Sequence, residues 1–179
     1  MLLTGKTHIL GGSIAGVSSA FMALQEGLPN QTDYRLPLLY IPGIIIAAVV
    51  GGVFPDIDWH TSQIGALIKP LAKVINVIFG HRTLFHSPIL YILTYTILTQ
   101  LYPQYYWLTF PFCIGAASHL MLDIFNKKGI SLFYPYSKRY YIIGLDSAGT
   151  GEVIFRLIMY PILIAAIISF TTAFANRLF

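Results

Sequence analysis

Long runs of apolar residues, each close to the length that crosses a lipid bilayer, constrain this chain more than any other feature. A transmembrane helix needs about 20 predominantly apolar residues. Five runs approach that length, at residues 9–24, 36–54, 84–102, 107–125 and 153–175. Only 10% of the residues are charged, and the mean hydropathy is +0.70. The sequence therefore predicts an all-α integral membrane protein of about five transmembrane helices, folded as a single domain over residues 1–179.

Two segments fit this pattern less well. The first run is short and rich in small residues, so whether it spans the membrane fully is left open. Its Gly12 and Gly16 suit close helix packing in lipid, and we expect it to be retained as a helix. The stretch from Gln63 to Phe79 is apolar but interrupted by two lysines and a proline. We predict that it forms an amphipathic helix lying in the membrane interface.

The basic residues predict the orientation of the chain. If all five runs cross, the amino terminus and the connections 55–82 and 126–152 share one face. That face collects Lys6, Lys69, Lys73, Arg82, Lys127, Lys128, Lys138 and Arg139, whereas the opposite face has Arg35 and Arg177. Cytoplasmic loops carry an excess of Lys and Arg. We therefore expect a protein of a bacterial or archaeal cytoplasmic membrane, with its amino terminus inside and its carboxyl terminus outside.

Histidines and carboxylates collect on the same predicted face. They lie where the apolar runs begin or end: His8, Asp56, Asp58, His60, His81, His86, His119, Asp123 and Glu152. The orientation rests on Lys and Arg alone, so the two patterns are independent and agree. Ionisable groups in membrane segments are costly and usually functional. The sequence predicts one shared site at the cytoplasmic helix ends.

Two pairs have spacings that suit an ion. His119 and Asp123 are four residues apart, so both project from one helix face and can bind one ion. A hydrogen-bonded structural pair is the alternative. Asp56 and Asp58 follow Pro55, which ends a helix and favours extended or turn geometry. Both carboxylates can bind metal, or one can bind while the other serves as a general base; a solvated turn is the alternative.

The remaining candidates are less specific. His81 and His86 are five apart, which is poor spacing for one helix face, and which of them binds metal is left open. Arg82 either meets lipid phosphate or takes part in catalysis. His8 and Glu152 can also be explained by simple interfacial location. Without a thiolate, such a nitrogen and oxygen set favours Zn²⁺, with manganese or iron as alternatives, and the number of candidates indicates more than one ion.

The order of these motifs resembles a known family. "PDID", "GHRTLFHS", "SHLMLD" and a glutamate before the last run are similar to the signature of the YdjM-like family of LexA-regulated, inner-membrane, metal-dependent hydrolases. That family is in turn distantly similar to zinc-dependent phospholipase C and zinc-dependent single-strand nucleases. The resemblance implies metal-site positions at His8, Asp56, Asp58, His81, His86, His119, Asp123 and Glu152. Phe85 and Asn126 depart from the family pattern, each where a threonine is common.

Residues and resemblance together predict a metal-dependent hydrolase of the phosphoesterase or phospholipase class. We expect it to cleave a phospholipid or related lipid phosphate at the cytoplasmic membrane surface, with no nucleic acid partner. Asp56 or Asp58 would be the general base and Arg82 would hold phosphoryl oxygens. The alternatives are a metal- or proton-coupled transporter, whose sites tend to lie near the bilayer midplane, and a membrane scaffold with a structural metal.

Overall fold

A computed structural model describes residues 5–26, 40–136, 138–144 and 149–178 of the chain. These residues form helices α1 Gly5–Glu26, α2 Tyr40–Val53, α3 Gln63–Leu67, α4 Lys69–Phe79, α5 Pro88–Leu101, α6 Tyr106–Asp123 and α7 Thr150–Leu178. Short 3₁₀ turns cover Phe54–Asp58, Leu84–His86 and Pro103–Tyr105. In these ranges the extended backbone amounts to an isolated β-bridge between Ile130 and Tyr140. The predicted all-α class is confirmed.

Three of the helices are long and apolar enough to cross a membrane. They are α1, the segment Tyr40–Asp58 that includes α2, and residues Thr150–Arg177 of α7. α5 is apolar but has only 14 residues, because the third run opens with a 3₁₀ turn and the helix begins at Pro88. The count of five spans stays a prediction. Residues 36–39 of the second run, and Arg35 before it, lie outside the described residues.

The predicted interfacial helix is present as two helices instead of one. Helix α3 ends before Ile68, which has non-helical torsions (φ −127°, ψ 43°), and Pro70 lies in the first turn of α4. Proline has no N–H for a continuing helical hydrogen bond, which explains the break. α4 keeps the predicted amphipathic character, with Leu71 and Val77 exposed on its surface.

Glycines bring the central helices into backbone contact. A Cβ added to Gly115 in α6 would lie 1.9 Å from the carbonyl oxygen of Ala48, and one added to Gly51 in α2 would lie 2.0 Å from that of Phe112. In lipid, small residues at such positions allow close helix packing. α1 packs against both of these helices as well as α7, and α5 packs against α6. The contact between α2 and α6 brings the turn after α2, which carries Asp56 and Asp58, near the end of α6, which carries Asp123.

We expect Gly115→Ala to destabilise the protein, because the new methyl group meets a backbone oxygen that cannot turn away. Overpacking of this kind costs about 1–3 kcal/mol, so the free energy of unfolding should fall by that amount. Thermal unfolding in detergent measures the change. Gly11→Ala is the matched control, because its Cβ would meet the end of the Leu122 side chain, which can rotate. Equal unfolding temperatures for the two variants would contradict the backbone contact.

Candidate metal centre

Polar side chains from six elements meet at one end of the helices. His8 comes from α1, and Asp56 and Asp58 from the 3₁₀ turn after α2. The loop and turn before α5 supply His81, Arg82 and His86, the last turns of α6 supply His119 and Asp123, and the first turn of α7 supplies Glu152. Except for His81, which is 17% exposed, all of them are buried. The His and Asp side chains therefore lie in buried groups, in a site largely closed to solvent, and their predicted roles stay predictions.

Four ligand atoms converge in the centre of this site. The Nε2 atom of His86 is 3.5 Å from Asp56 Oδ1 and 3.5 Å from Asp123 Oδ2. The Nε2 atom of His119 is 3.8 Å and 3.7 Å from the same two oxygens. All four atoms are buried, and among the described residues Asp56 Oδ1, His86 Nε2 and His119 Nε2 have no hydrogen-bond partner, whereas Asp123 Oδ2 is 2.9 Å from the Arg82 guanidinium. Neighbouring ligands around a tetrahedral ion with bonds of about 2.0–2.1 Å lie about 3.3 Å apart, so these separations suit atoms that share a small cation.

A backbone hydrogen bond fixes how His119 presents its ring. His119 Nδ1 lies 2.8 Å from the carbonyl oxygen of Gly52, which can only accept a hydrogen bond. The proton therefore sits on Nδ1, and Nε2 offers its lone pair to the centre. Metal-binding histidines generally have their second nitrogen held in this way. Gly52 could not be predicted from the sequence, because it contributes a backbone carbonyl 67 residues away in the chain.

His8 extends the site on the side of α1. Its ring stacks on that of His119, with centroids 3.7 Å apart, and its Nε2 is 3.5 Å from Asp123 Oδ1. Neither ring nitrogen of His8 has a hydrogen-bond partner within the described part of the chain. His8, His119 and Asp123 form one group able to hold an ion, and Asp56, His86 and His119 form another. The two groups share His119.

The third group able to hold an ion consists of Asp58, His81 and His86, and both carboxylate oxygens of its Asp58 accept hydrogen bonds. Asp58 Oδ1 accepts a hydrogen bond from His81 Nδ1 at 2.7 Å, and Asp58 Oδ2 accepts one from the backbone N–H of Arg82 at 3.2 Å. With its proton on Nδ1, His81 has a buried Nε2 that lacks a partner in the described ranges. His86 completes this group. Asp56 and Asp58 thus have different surroundings, although the sequence treats them as equivalent.

Arg82 is fully buried and its guanidinium contacts the protein itself. Its Nη2 atom is 2.9 and 3.0 Å from the two carboxylate oxygens of Asp123, and its Nη1 donates a hydrogen bond to the carbonyl oxygen of Gly129 at 3.0 Å. Its backbone has a positive φ of 64°, which is uncommon for a residue other than glycine. These contacts hold Asp123 in place. The predicted contact of Arg82 with a phosphoryl group stays a prediction.

Glu152 lies beside the centre and outside the three ligand groups found among the described residues. It is fully buried, and its Oε1 accepts a 2.5 Å hydrogen bond from the hydroxyl of Thr7, the neighbour of His8. Its predicted role as a ligand stays a prediction. The contact of Thr7 could not be predicted from the sequence, because an isolated threonine at a helix start has no distinctive pattern.

The charge of the cluster favours a bound cation. The three groups contain the carboxylates of Asp56, Asp58 and Asp123, and the adjacent cation is Arg82. With ionised carboxylates and neutral imidazoles, the net charge of these residues is −2. Buried charges are costly unless paired or bound to metal. Buried His/Asp groups of this composition can hold a metal ion, and the partnerless ligand atoms fit one.

Comparisons with known proteins agree on one family. The YdjM inner membrane protein family matches residues 3–178. Uncharacterized protein YvsG of Bacillus subtilis (strain 168) is 33% identical over 177 residues, which cover 99% of this chain and 100% of that protein. Inner membrane protein YdjM of Escherichia coli (strain K12) and its Shigella flexneri counterpart are each 27% identical over 104 residues, 54% of this chain and 52% of theirs. No solved structure matches the chain.

We expect Arg82→Met to destabilise the protein strongly, because it leaves the buried Asp123 carboxylate without its cationic partner. Removing one member of a buried ion pair costs about 3–5 kcal/mol. Chemical unfolding of the purified protein measures the loss. Arg139→Met is the control, because Arg139 is exposed and donates one 3.2 Å hydrogen bond to the backbone of His81. Similar losses in both variants would refute the structural role of Arg82.

Proposed function

The chain belongs to the YdjM inner membrane protein family, and we propose that it is a membrane-bound, metal-dependent hydrolase that cleaves a phosphoester. Membership of the family confirms the resemblance seen in the sequence; similarity to zinc-dependent phospholipase C and to the nucleases stays a prediction. The family and the apolar helices place the protein in a membrane. The observation that carries the proposal is the set of buried, facing His and Asp ligand atoms, most of which lack hydrogen-bond partners among the described residues.

The chemistry of the ligand atoms favours zinc. The three groups contain imidazole nitrogens and carboxylate oxygens and no thiolate, a set that suits Zn²⁺ and also accommodates manganese or iron. His8, His119 and Asp123 would hold one ion, and Asp56, His86 and His119 would hold another. Because His119 has one free lone pair, on Nε2, it would bind one of two ions, and the remaining residues would hold the other. Divalent ions supply Lewis-acid activation of water and neutralise developing negative charge.

The chain's own residues divide into ligands and residues that move or hold protons. Asp56 Oδ1 faces the ligand atoms without a partner, so we assign Asp56 to the metal. Asp58 instead holds the Nδ1 proton of His81, which leaves His81 Nε2 free to accept a proton. A histidine oriented by a carboxylate is a common general base. We accordingly propose His86 as the ligand and His81 as the base.

Basic residues beside the centre support an anionic lipid as substrate. The Arg139 guanidinium contacts the backbone carbonyl of His81, and the Lys138 ammonium lies 5.5 Å from the centre of the Tyr140 ring. Clusters of Lys and Arg next to membrane segments attract anionic lipids, at about 1 kcal/mol for each residue. These side chains would hold the headgroup near the metal on the cytoplasmic side. The substrate we propose is therefore a phospholipid or a related lipid phosphate.

Metal analysis of purified protein tests the centre itself. We expect zinc or another divalent ion in the wild type, and its loss from Asp56→Ala and His119→Ala, because each variant removes a converging ligand atom. His60→Ala is the matched control, since His60 lies outside the three ligand groups and should leave the metal content unchanged. Elemental analysis after removal of loosely bound ions gives the result. Full metal content in both ligand variants would rule out the shared site.

Hydrolysis assays test the reaction class. We expect the metal-loaded wild type to cleave a lipid phosphate or a phosphomonoester, and His81→Ala to retain its metal while losing about 10²–10⁴-fold in rate, the usual contribution of a general base. Asp58→Asn should lose activity for the same reason, because it no longer orients His81. A wild type that binds metal but hydrolyses neither class of substrate would favour a scaffold with a structural metal.

Accessibility labelling tests the orientation. In a background with Cys113 changed to Ser, we expect Lys127→Cys to react with an impermeant thiol reagent only when the cytoplasmic face is exposed. Arg177→Cys, at the other end of the molecule, should react from outside. The expectation follows from the excess of basic residues on the face that carries Lys127. The opposite pattern would place the metal centre outside the cell.

A further inference from the structure

An apolar groove leads away from the metal centre between α5 and α6. It has a volume of about 370 Å³, within the range of about 300–1,000 Å³ that is usual for ligand sites. Its lining includes Pro88, Tyr91 and Ile92 of α5 and Cys113, Ala117 and Leu120 of α6. Ile92 is 63% exposed, so the groove is open along its length.

One end of the groove adjoins the ligand atoms. Leu120 follows His119 in the chain, and Pro88 comes two residues after His86. The buried Tyr91 also lines the groove, and its hydroxyl donates a 2.7 Å hydrogen bond to the carbonyl oxygen of Phe85, the residue before His86. A molecule in the groove would therefore have its near end beside the histidines.

The far end of the groove lies deeper along the same helices. The lining continues to Tyr95 on α5 and Phe110 on α6, which are seven and ten residues from Pro88 and Leu120. A helix rises about 1.5 Å per residue, so the groove runs about 10–15 Å from the centre along the helix axes. Its direction is that of a lipid chain whose headgroup lies at the metal.

The surroundings of the groove indicate its occupant. The neighbouring surface of α5 exposes Leu93 and Ile97, so this side of the helix pair presents apolar residues throughout. In a membrane such a surface meets hydrocarbon, and irregular or polar ligands would lose their hydrogen bonds there. An apolar groove of this length that begins near the candidate metal centre and opens to the bilayer suits one acyl chain of a lipid.

We infer that this groove is a binding site for an acyl chain of the substrate lipid, positioned so that the phosphoester reaches the metal centre. The inference rests on the proposed function and narrows its substrate to a lipid that enters sideways from the bilayer. In this arrangement the Tyr91 ring would contact the acyl chain, while its hydroxyl holds the turn that carries His86.

Photolabelling tests the inference in full-length, metal-loaded protein in phosphatidylcholine vesicles. The probes are two phosphatidic acids with a diazirine in one acyl chain, placed close to the glycerol in one probe and at the chain end in the other. We expect the first to label Tyr91 or Leu120 and the second to label Tyr95 or Phe110. Even labelling of α5, α6 and α7, or the reversed order of the two probes, would overturn the inference.

A groove-filling variant provides the second arm. Ala117→Phe should reduce labelling in the groove about tenfold, because its ring takes up space that the chain needs. Ala165→Phe is the matched control, an exposed alanine on α7 that should leave labelling unchanged. Groove labelling unaffected by Ala117→Phe would contradict the inference, as would a groove protected from the probes in a stable dimer, which would assign it to a second copy of the chain.

Metal content of the same samples separates this inference from the proposed function. If the wild type binds metal but labelling is even, the acyl-chain site fails and the metal centre stands. If the two probes label the groove residues in the expected order but the protein binds no metal, the proposed metal-dependent hydrolase function is refuted instead. Should Ala117→Phe not fold, the order of labelling by the two probes in the wild type still decides.

Discussion

The structure depends on burying acidic and imidazole side chains at one end of an apolar helix bundle. Asp56, His86, His119 and Asp123 direct atoms toward one another at 3.5–3.8 Å. In the described part of the protein, the facing atoms of the first three have no hydrogen bond, and that of Asp123 contacts Arg82. Such an arrangement is costly unless a cation compensates it. Because burying these polar side chains is costly, we infer that the helix ends are arranged to form a functional site.

Backbone contact between α2 and α6 makes this convergence possible. Gly51 and Gly115 let the two helices approach until carbonyl oxygens lie where a Cβ would be. The same approach brings the Gly52 carbonyl within hydrogen-bond distance of His119 Nδ1, so the packing that joins the helices also sets the proton on the ring. Arg82 also holds Asp123, through contacts with both of its carboxylate oxygens. The packing of α2 against α6 thus also determines how His119 is oriented.

Local patterns predicted part of this site correctly. The four-residue spacing of His119 and Asp123 predicted a shared face, and their ligand atoms are 3.7 Å apart. The turn geometry expected after Pro55 is present as a 3₁₀ turn. Pro88 begins α5, in keeping with the preference of proline for the first turn of a helix. These features depend on neighbours in the chain, which a sequence pattern can report.

Contacts between distant residues could not be predicted in the same way, and the central claim rests on them. Arg82 is 41 residues from Asp123, and nothing local announces their pairing. The claim is that buried His and Asp side chains around His119 bind a divalent cation, and anomalous diffraction from zinc-loaded crystals tests it most directly. The account predicts an ion peak in one of the groups that contain His119, with bonds of about 2.0–2.1 Å to Asp56, His86 and His119 or to His8, His119 and Asp123. An ion located elsewhere, or these atoms hydrogen-bonded to one another and to water with no ion between them, would contradict it.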